Sequence, residues 1–170
     1  PPHDGEFTVP GLNNRVEILR DEWGVPHIYA SNTYDLFFAQ GYTQAMDRWW
    51  QMEFYRNTAA GSIQKLTGRV DALMGTDIYL RTLGFRQVVE QEIAENLSSD
   101  TMAILQAFAD GVNAYILDRP AGELALQYTL LGTTGVSIEI EPWTAIDTIM
   151  WGKVMSLQLS GNQGTEQLLA

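Results

Sequence analysis

RVEILRDEWGVPHIYA, residues 15–30, is the stretch on which the fold turns. Val16 and Ile18 alternate with charged neighbours, Asp21 to Gly24 carry turn chemistry, and Val25, Ile28 and Tyr29 resume an extended pattern. The stretch reads as a β-hairpin. Pro26 has no N–H to give to a ladder and suits an edge or irregular strand. No second pair of strands is legible, and a lone two-stranded hairpin is marginal in water. It must therefore pack on this chain's own helices or join a sheet supplied by another chain. The predicted class is α+β, mostly helical.

Outward from the hairpin, residues 1–14 are rich in Pro, Gly and Asn and read as an extended N-terminal arm, and residues 31–170 read as a helical region. Asn32 or Thr33 can cap a long helix to about residue 60. Its Leu36, Phe37, Met46, Trp49, Trp50 and Phe54 cover more than one face, the pattern of a buried helix. Gly61 permits a stop, and Ser62 can cap a short helix ended by Gly68. A third helix is predicted over 78–96. A fourth follows Ser98 or Ser99, with Leu105, Phe108, Val112 and Ile116 as its stripe. Residues 119–141 read as a loop-rich connection.

The last helix, about 143–160, carries two apolar stripes. Ile146, Met150, Val154 and Leu157 form one; Trp151, Met155 and Leu159 form another, rotated about the axis. Such a helix is buried on two sides, and the second side needs a partner surface or a pocket. After Gly161, the run from Gly164 to Leu169 begins a new helix with Thr165 as a fair cap, and ends one turn in. It reads as a cut end.

Composition narrows the function. With no Cys, thiol nucleophiles, disulfides and Cys zinc sites are excluded. Two histidines, His3 and His27, leave little for a His metal site or a Ser-His-Asp triad. Asp+Glu 21 against Lys+Arg 10 gives −11, which argues against nucleic-acid binding and against anionic membrane surfaces. A hydrophobic content of 45% excludes a disordered acidic tail. No segment is long and apolar enough to span a bilayer. Pro1-Pro2-His3-Asp4-Gly5 shows no leader, as in an exported chain whose signal has been removed.

No local constellation is self-sufficient for catalysis. As a general base His27 would need both an orienting carboxylate and a nucleophile in reach, and nothing local supplies both, so a structural hydrogen bond is the better reading. Asp47 and Arg48 are adjacent and do not share a face, whereas Glu53 and Arg56 can pair at i,i+3 on a solvated or interface face. Ser160 to Glu166 is rich in oxygen donors suited to calcium, yet holds one carboxylate and no EF-hand spacing, and helix capping is its default. By spacing alone, Met155 and Leu159 read as core.

Four segments then carry a resemblance: RDEWGVPHIYA (20–30), LFFAQGYTQAMDRWWQMEFYRNTAAGSIQKLTG (36–68), LQAFADGVNAYI (105–116) and EPWTAIDTIMWGKVMSLQLSGNQGTEQLL (141–169). In this order and spacing the chain resembles the α chain of the penicillin acylase family of N-terminal-nucleophile hydrolases, which includes penicillin G and V acylases and N-acyl-homoserine lactone acylases. The resemblance implies a self-cleaving precursor and a small α chain bound to a large β chain. The β chain's N-terminal Ser would be the nucleophile, acting through an acyl-enzyme. This chain would hold no catalytic residue, and its hairpin would join the αββα core of the partner.

The resemblance also implies that the last helix supplies part of an acyl pocket through Met155 and Leu159, with Gln158 and Trp151 as neighbours. Penicillin G acylases have an aromatic residue where Leu159 falls and an Arg where Gln158 falls, a departure that puts a phenylacetyl preference in doubt. Glu166 matches the carboxylate that the family's α chain gives to a structural calcium shared with the β chain. The implied location is periplasmic or secreted, and the implied substrate is a small N-acyl compound such as a penicillin-type β-lactam. An acylase of N-acyl-homoserine lactones is the enzymatic alternative, and a helical binding module the non-enzymatic one.

Overall fold

The hairpin forms in the computed structural model, which describes residues 4–135 and 138–161. Strands β1 (Glu17–Arg20) and β2 (Pro26–Tyr29) pair antiparallel, with Ile18 opposite Ile28 and Leu19 opposite His27. The Asp21 carboxylate closes the turn by accepting the N–H of Trp23 at 3.0 Å and of Val25 at 2.8 Å. Pro26 lies at the end of the ladder, opposite Arg20. The hairpin leaves Leu19, Trp23, Val25 and Tyr29 exposed, and Trp23 is 83% accessible. Two strands alone cannot cover their own apolar side chains.

Helix α1 (Thr33–Ala59) starts where Asn32 accepts the Asp35 N–H at 2.8 Å. The Asp35 carboxylate in turn accepts the N–H of Asn13 at 2.8 Å and of Asn14 at 2.9 Å, docking the arm on the helix start. The helix kinks at Arg48, where φ is −140°. Its buried face is Phe38, Ala45, Trp49 and Met52, while Leu36 and Phe54 lie exposed. The sequence reading gave those two to a buried face. Period alone cannot tell a core side chain from one that this chain leaves uncovered.

Helix α2 (Gln64–Thr67) is capped differently from the expectation. The Ser62 hydroxyl turns back to the Asn57 side chain at 3.0 Å, and Asp77 from the next helix accepts the Ile63 N–H at 2.9 Å. The single helix predicted over 78–96 is two, α3 (Asp71–Leu83) and α4 (Phe85–Glu95). Gly84 divides them with φ 70°, a left-handed conformation that costs glycine no Cβ clash. Helix α5 (Ser99–Ile116) has Ser98 as its cap. The predicted loop of 119–141 contains two short helices, α6 (Ala121–Leu124) and α7 (Leu126–Gly132). A long-range contact holds them: Trp49 Nε1 donates to the Tyr128 hydroxyl at 2.9 Å.

Helix α8 (Ala145–Leu159) opens on a capping box in which Thr144 and Asp147 exchange hydrogen bonds. One buried cluster joins α1, α5, α7 and the start of α8 through Trp49, Met52, Val112, Ile116, Tyr128 and Trp143. A second joins α1, α4 and α8 through Ala59, Val89, Met150 and Val154.

Candidate functional site

The two faces of α8 meet different surroundings. Met150 and Val154 are buried in the second cluster, with Ile146 packed against it, as the first stripe predicts. On the other side, Trp151 is half-buried and its ring packs against Tyr55 of α1, centroids 4.6 Å apart and planes inclined by 38°. Met155, one turn on, is 36% accessible, and Leu159, a further turn on, is 81% accessible. Gln158 is exposed beside them. The chain thus presents a thioether, an amide and an isobutyl group along one uncovered flank of the helix that carries Trp151.

Trp151 also lines a groove of about 370 Å³ with Phe37, Met52, Phe108, Trp143 and Thr148. Met155, Gln158 and Leu159 do not reach this groove. A second groove, of about 600 Å³, runs between the hairpin and α1 and includes Trp23, Val25, Leu36 and Asp47. Phe37, Gln40 and Gln44 line both, so the two grooves adjoin along α1. Those three recur at i, i+3 and i+7 and so share one face of α1. Thr43 faces the second groove, and its Oγ1 is buried without a hydrogen-bond partner among the described residues.

The hairpin is tied to α1 by Arg20, whose two terminal nitrogens reach the Asp47 carboxylate at 2.9 and 2.8 Å. Sequence spacing gives no hint of this pair, because its members are 27 residues apart. His27 Nε2 lies 3.4 Å from the Asp21 carboxylate on an exposed strand face. The Val25 N–H bond is the main cause holding the Asp21 carboxyl below its usual range; burial, next in size, opposes it, and the His27 and Trp23 bonds add to the lowering. This fits a structural role for His27.

Glu53 and Arg56 correct the sequence reading. They pair, but not on a solvated face: Glu53 is 3% and Arg56 7% accessible. Trp49 and Trp143, themselves packed edge-to-face at 6.3 Å, both border the guanidinium, with ring centroids 5.6 and 5.5 Å from its carbon. Burial lifts the Glu53 carboxyl above its usual range, with Arg56 opposing. Burial likewise raises the Tyr128 phenol. Glu166, the expected calcium ligand, lies outside the described residues. Among the described residues, no cluster of three or more His, Asp or Glu is placed to hold a metal, and no helix is long and apolar enough to cross a membrane.

Comparison with known proteins places this arrangement. The family model described as penicillin amidase matches residues 15–170. The penicillin acylase 2 proenzyme of Pseudomonas sp. (strain SE83) is 37% identical over 143 residues, covering 84% of this chain and 17% of the relative. The acyl-homoserine lactone acylase QuiP of Pseudomonas aeruginosa is 34% identical over 116 residues, 68% of this chain and 13% of the relative. The chain therefore spans less than a fifth of the length of these relatives. The solved structure of a thermostable penicillin G acylase from Alcaligenes faecalis superposes with a TM-score of 0.70 at 30% identity, covering 89% of this chain and 75% of that one.

Proposed function

The chain belongs to the penicillin amidase family, and on that premise we propose that it is the α subunit of a heterodimeric amidohydrolase. The observation that carries the reading is the outer flank of α8. Met155, Gln158 and Leu159 stand uncovered beside Trp151, on a helix anchored along its opposite face. In this reading they form one wall of an acyl pocket whose other walls, oxyanion hole and nucleophile come from a larger β chain. The two grooves and the uncovered hairpin are the surfaces on which that chain would sit.

The reaction balances without a nucleophile here. The β chain's N-terminal Ser Oγ attacks the side-chain amide carbonyl while its own α-amino group takes the proton. The α-ammonium returns that proton to the amine nitrogen as the C–N bond breaks, the amine leaves, and water then hydrolyses the ester. The role of this chain is binding and exclusion of water: an apolar wall holds the acyl chain, so the carbonyl meets the nucleophile in a defined pose. Calcium would be structural. Its hard oxygen demand suits the Glu166 carboxylate, and one carboxylate cannot fill six to eight positions, so the β chain would supply the rest. We place the assembled enzyme in the periplasm or outside the cell.

Leu159 favours a second reading, an acylase of N-acyl-homoserine lactones. An exposed aliphatic side chain suits a long flexible acyl group better than a phenyl ring, and a relative of that name matches 68% of this chain. Turnover of phenylacetyl, phenoxyacetyl and long aliphatic amides by the full protein separates the two. Preference for aromatic acyl groups supports the penicillin-side reading, and strong preference for long aliphatic groups the second. No hydrolysis of any of them contradicts both.

A further inference from the structure

Two side chains from different helices grip the three residues that launch α8. Arg56 of α1 donates from Nη1 to the carbonyl oxygens of Glu141 at 3.1 Å and Pro142 at 3.0 Å. Asn113 of α5 donates from Nδ2 to the Trp143 carbonyl at 2.9 Å and accepts the Trp143 N–H at 2.7 Å. The capping box of Thr144 follows at once. Arg56 is itself immobilised: Nη2 is held by the Glu53 carboxylate, which also accepts from Asn57 Nδ2 at 3.1 Å. The rings of Trp49 and Trp143 lie against it, with centroids 5.6 and 5.5 Å from its carbon.

A buried ion pair is a weak source of stability, because desolvation consumes most of its Coulombic gain. Cohesion of α1 with α8 is already provided by Ala59, Met150 and Val154. What the polar grip adds is direction. It bonds four backbone groups in three consecutive residues, and so fixes the angle at which α8 leaves the core.

We infer that Arg56 and Asn113 are positioning residues that set acyl-chain selectivity by aiming α8. The inference rests on the acylase reading above. From Trp143 to Met155 a helix rises roughly 18 Å. A tilt of about 5° at the start then moves Met155 by about 1.5 Å, and Leu159 by more. Displacements of this size matter in a site that orients a substrate. Because α8 carries Trp151, Met155, Gln158 and Leu159 together, the whole wall moves as a unit.

The test uses the full protein with its partner chain, titrated for active nucleophile. Arg56→Lys, Arg56→Met and Asn113→Ala are compared with Leu80→Ala, a buried control on α3. The readout is the ratio of kcat/KM for decanoyl against phenylacetyl amides. Arg56→Lys and Asn113→Ala are expected to shift this ratio at least about fivefold, through KM, with kcat per titrated site nearly kept. Leu80→Ala is expected to lower Tm without moving the ratio. A ratio unmoved in Arg56→Lys and Asn113→Ala, or moved equally by Leu80→Ala, overturns the inference while leaving the acylase reading intact. If the Arg56 variants fail to assemble, Asn113→Ala decides alone. Failure of the wild type to cleave any amide removes the acylase reading and this inference with it.

Discussion

Replacing Gly41 or Gly111 with Ala should separate the two longest helices. At their crossing each glycine faces the other helix's backbone. A Cβ on Gly41 would stand 2.1 Å from the Phe108 carbonyl oxygen, and one on Gly111 1.9 Å from that of Phe38. Carbon and carbonyl oxygen come no closer than about 3.3 Å even in favourable contacts. The shortfall exceeds about 1 Å, and neither obstacle is a side chain that can rotate away. The helices must part, and Ala45, Ala109 and Val112, all buried at the same interface, lose contact together. Overpacking costs about 1–3 kcal/mol, and a backbone obstacle puts this site at the upper end. Alanine returns about 1 kcal/mol of helix propensity. A net loss of about 2 kcal/mol is therefore expected, roughly a 30-fold change in the folding equilibrium. Gly75 supplies the control, because it is exposed within α3 and a Cβ there meets nothing within 4 Å. Gly75→Ala should leave stability unchanged or raise it by up to about 1 kcal/mol. The assay is urea and thermal unfolding of the three full-length variants in parallel, followed by circular dichroism. Gly41→Ala or Gly111→Ala unfolding at or above the wild type would refute the close-approach reasoning.

Other outcomes follow from single contacts. Asp77→Ala removes the acceptor for the Ile63 and Gln64 N–H groups and should cost about 1–2 kcal/mol, read as a lower urea midpoint. Burial pushes the Asp35 carboxyl up, but bonds from Asn13, Asn32 and Asn14 outweigh it and leave the folded pKa below its ordinary value. Its stabilisation is therefore complete above the unfolded value of about 3.9 and is lost as pH falls through the lower folded value. Proteolysis of the arm at residues 13–14 should accelerate below about pH 4, and Asp35→Asn should give the same release at neutral pH. Glu166→Ala should lower the calcium content and heat stability of the assembled enzyme without blocking acylation of the nucleophile; unchanged calcium content would remove Glu166 from the site. Leu159→Phe should shift selectivity from long aliphatic towards phenylacetyl amides, measured as the ratio of kcat/KM.

The elements legible in the sequence are those that local chemistry dictates. The hairpin follows from alternation around Asp21 to Gly24, and the start of α1 from the Asn32 cap. The start of α8 was placed to within two residues, and its inner stripe holds at Met150 and Val154. What was missed depends on distant partners. Gly84 splits α3 from α4, a choice the helical period cannot reveal. Helices α6 and α7 read as loop because their support comes from Trp49, 79 residues from Tyr128. Asp77 replaces Ser62 as the cap of α2 for the same reason. Glu53 and Arg56 have the spacing of a surface pair, and distant neighbours, Trp143 and the carbonyls of Glu141 and Pro142 among them, make it a buried grip. At the candidate site, the outer stripe of α8 is legible as a face needing cover; Tyr55 covers Trp151, while Met155 and Leu159 stay exposed among the described residues.

The central claim is that the reacting serine lies on another chain while this one shapes the pocket. Labelling the intact enzyme with a serine-directed acylating probe, followed by separation of the chains and N-terminal sequencing, tests it most directly. The expected result is one label per complex on the N-terminal Ser of a larger co-purifying chain, none on this one, and loss of labelling when a cleavable N-acyl amide competes. Label on the present chain, or amide hydrolysis by this chain without a partner, would contradict the account.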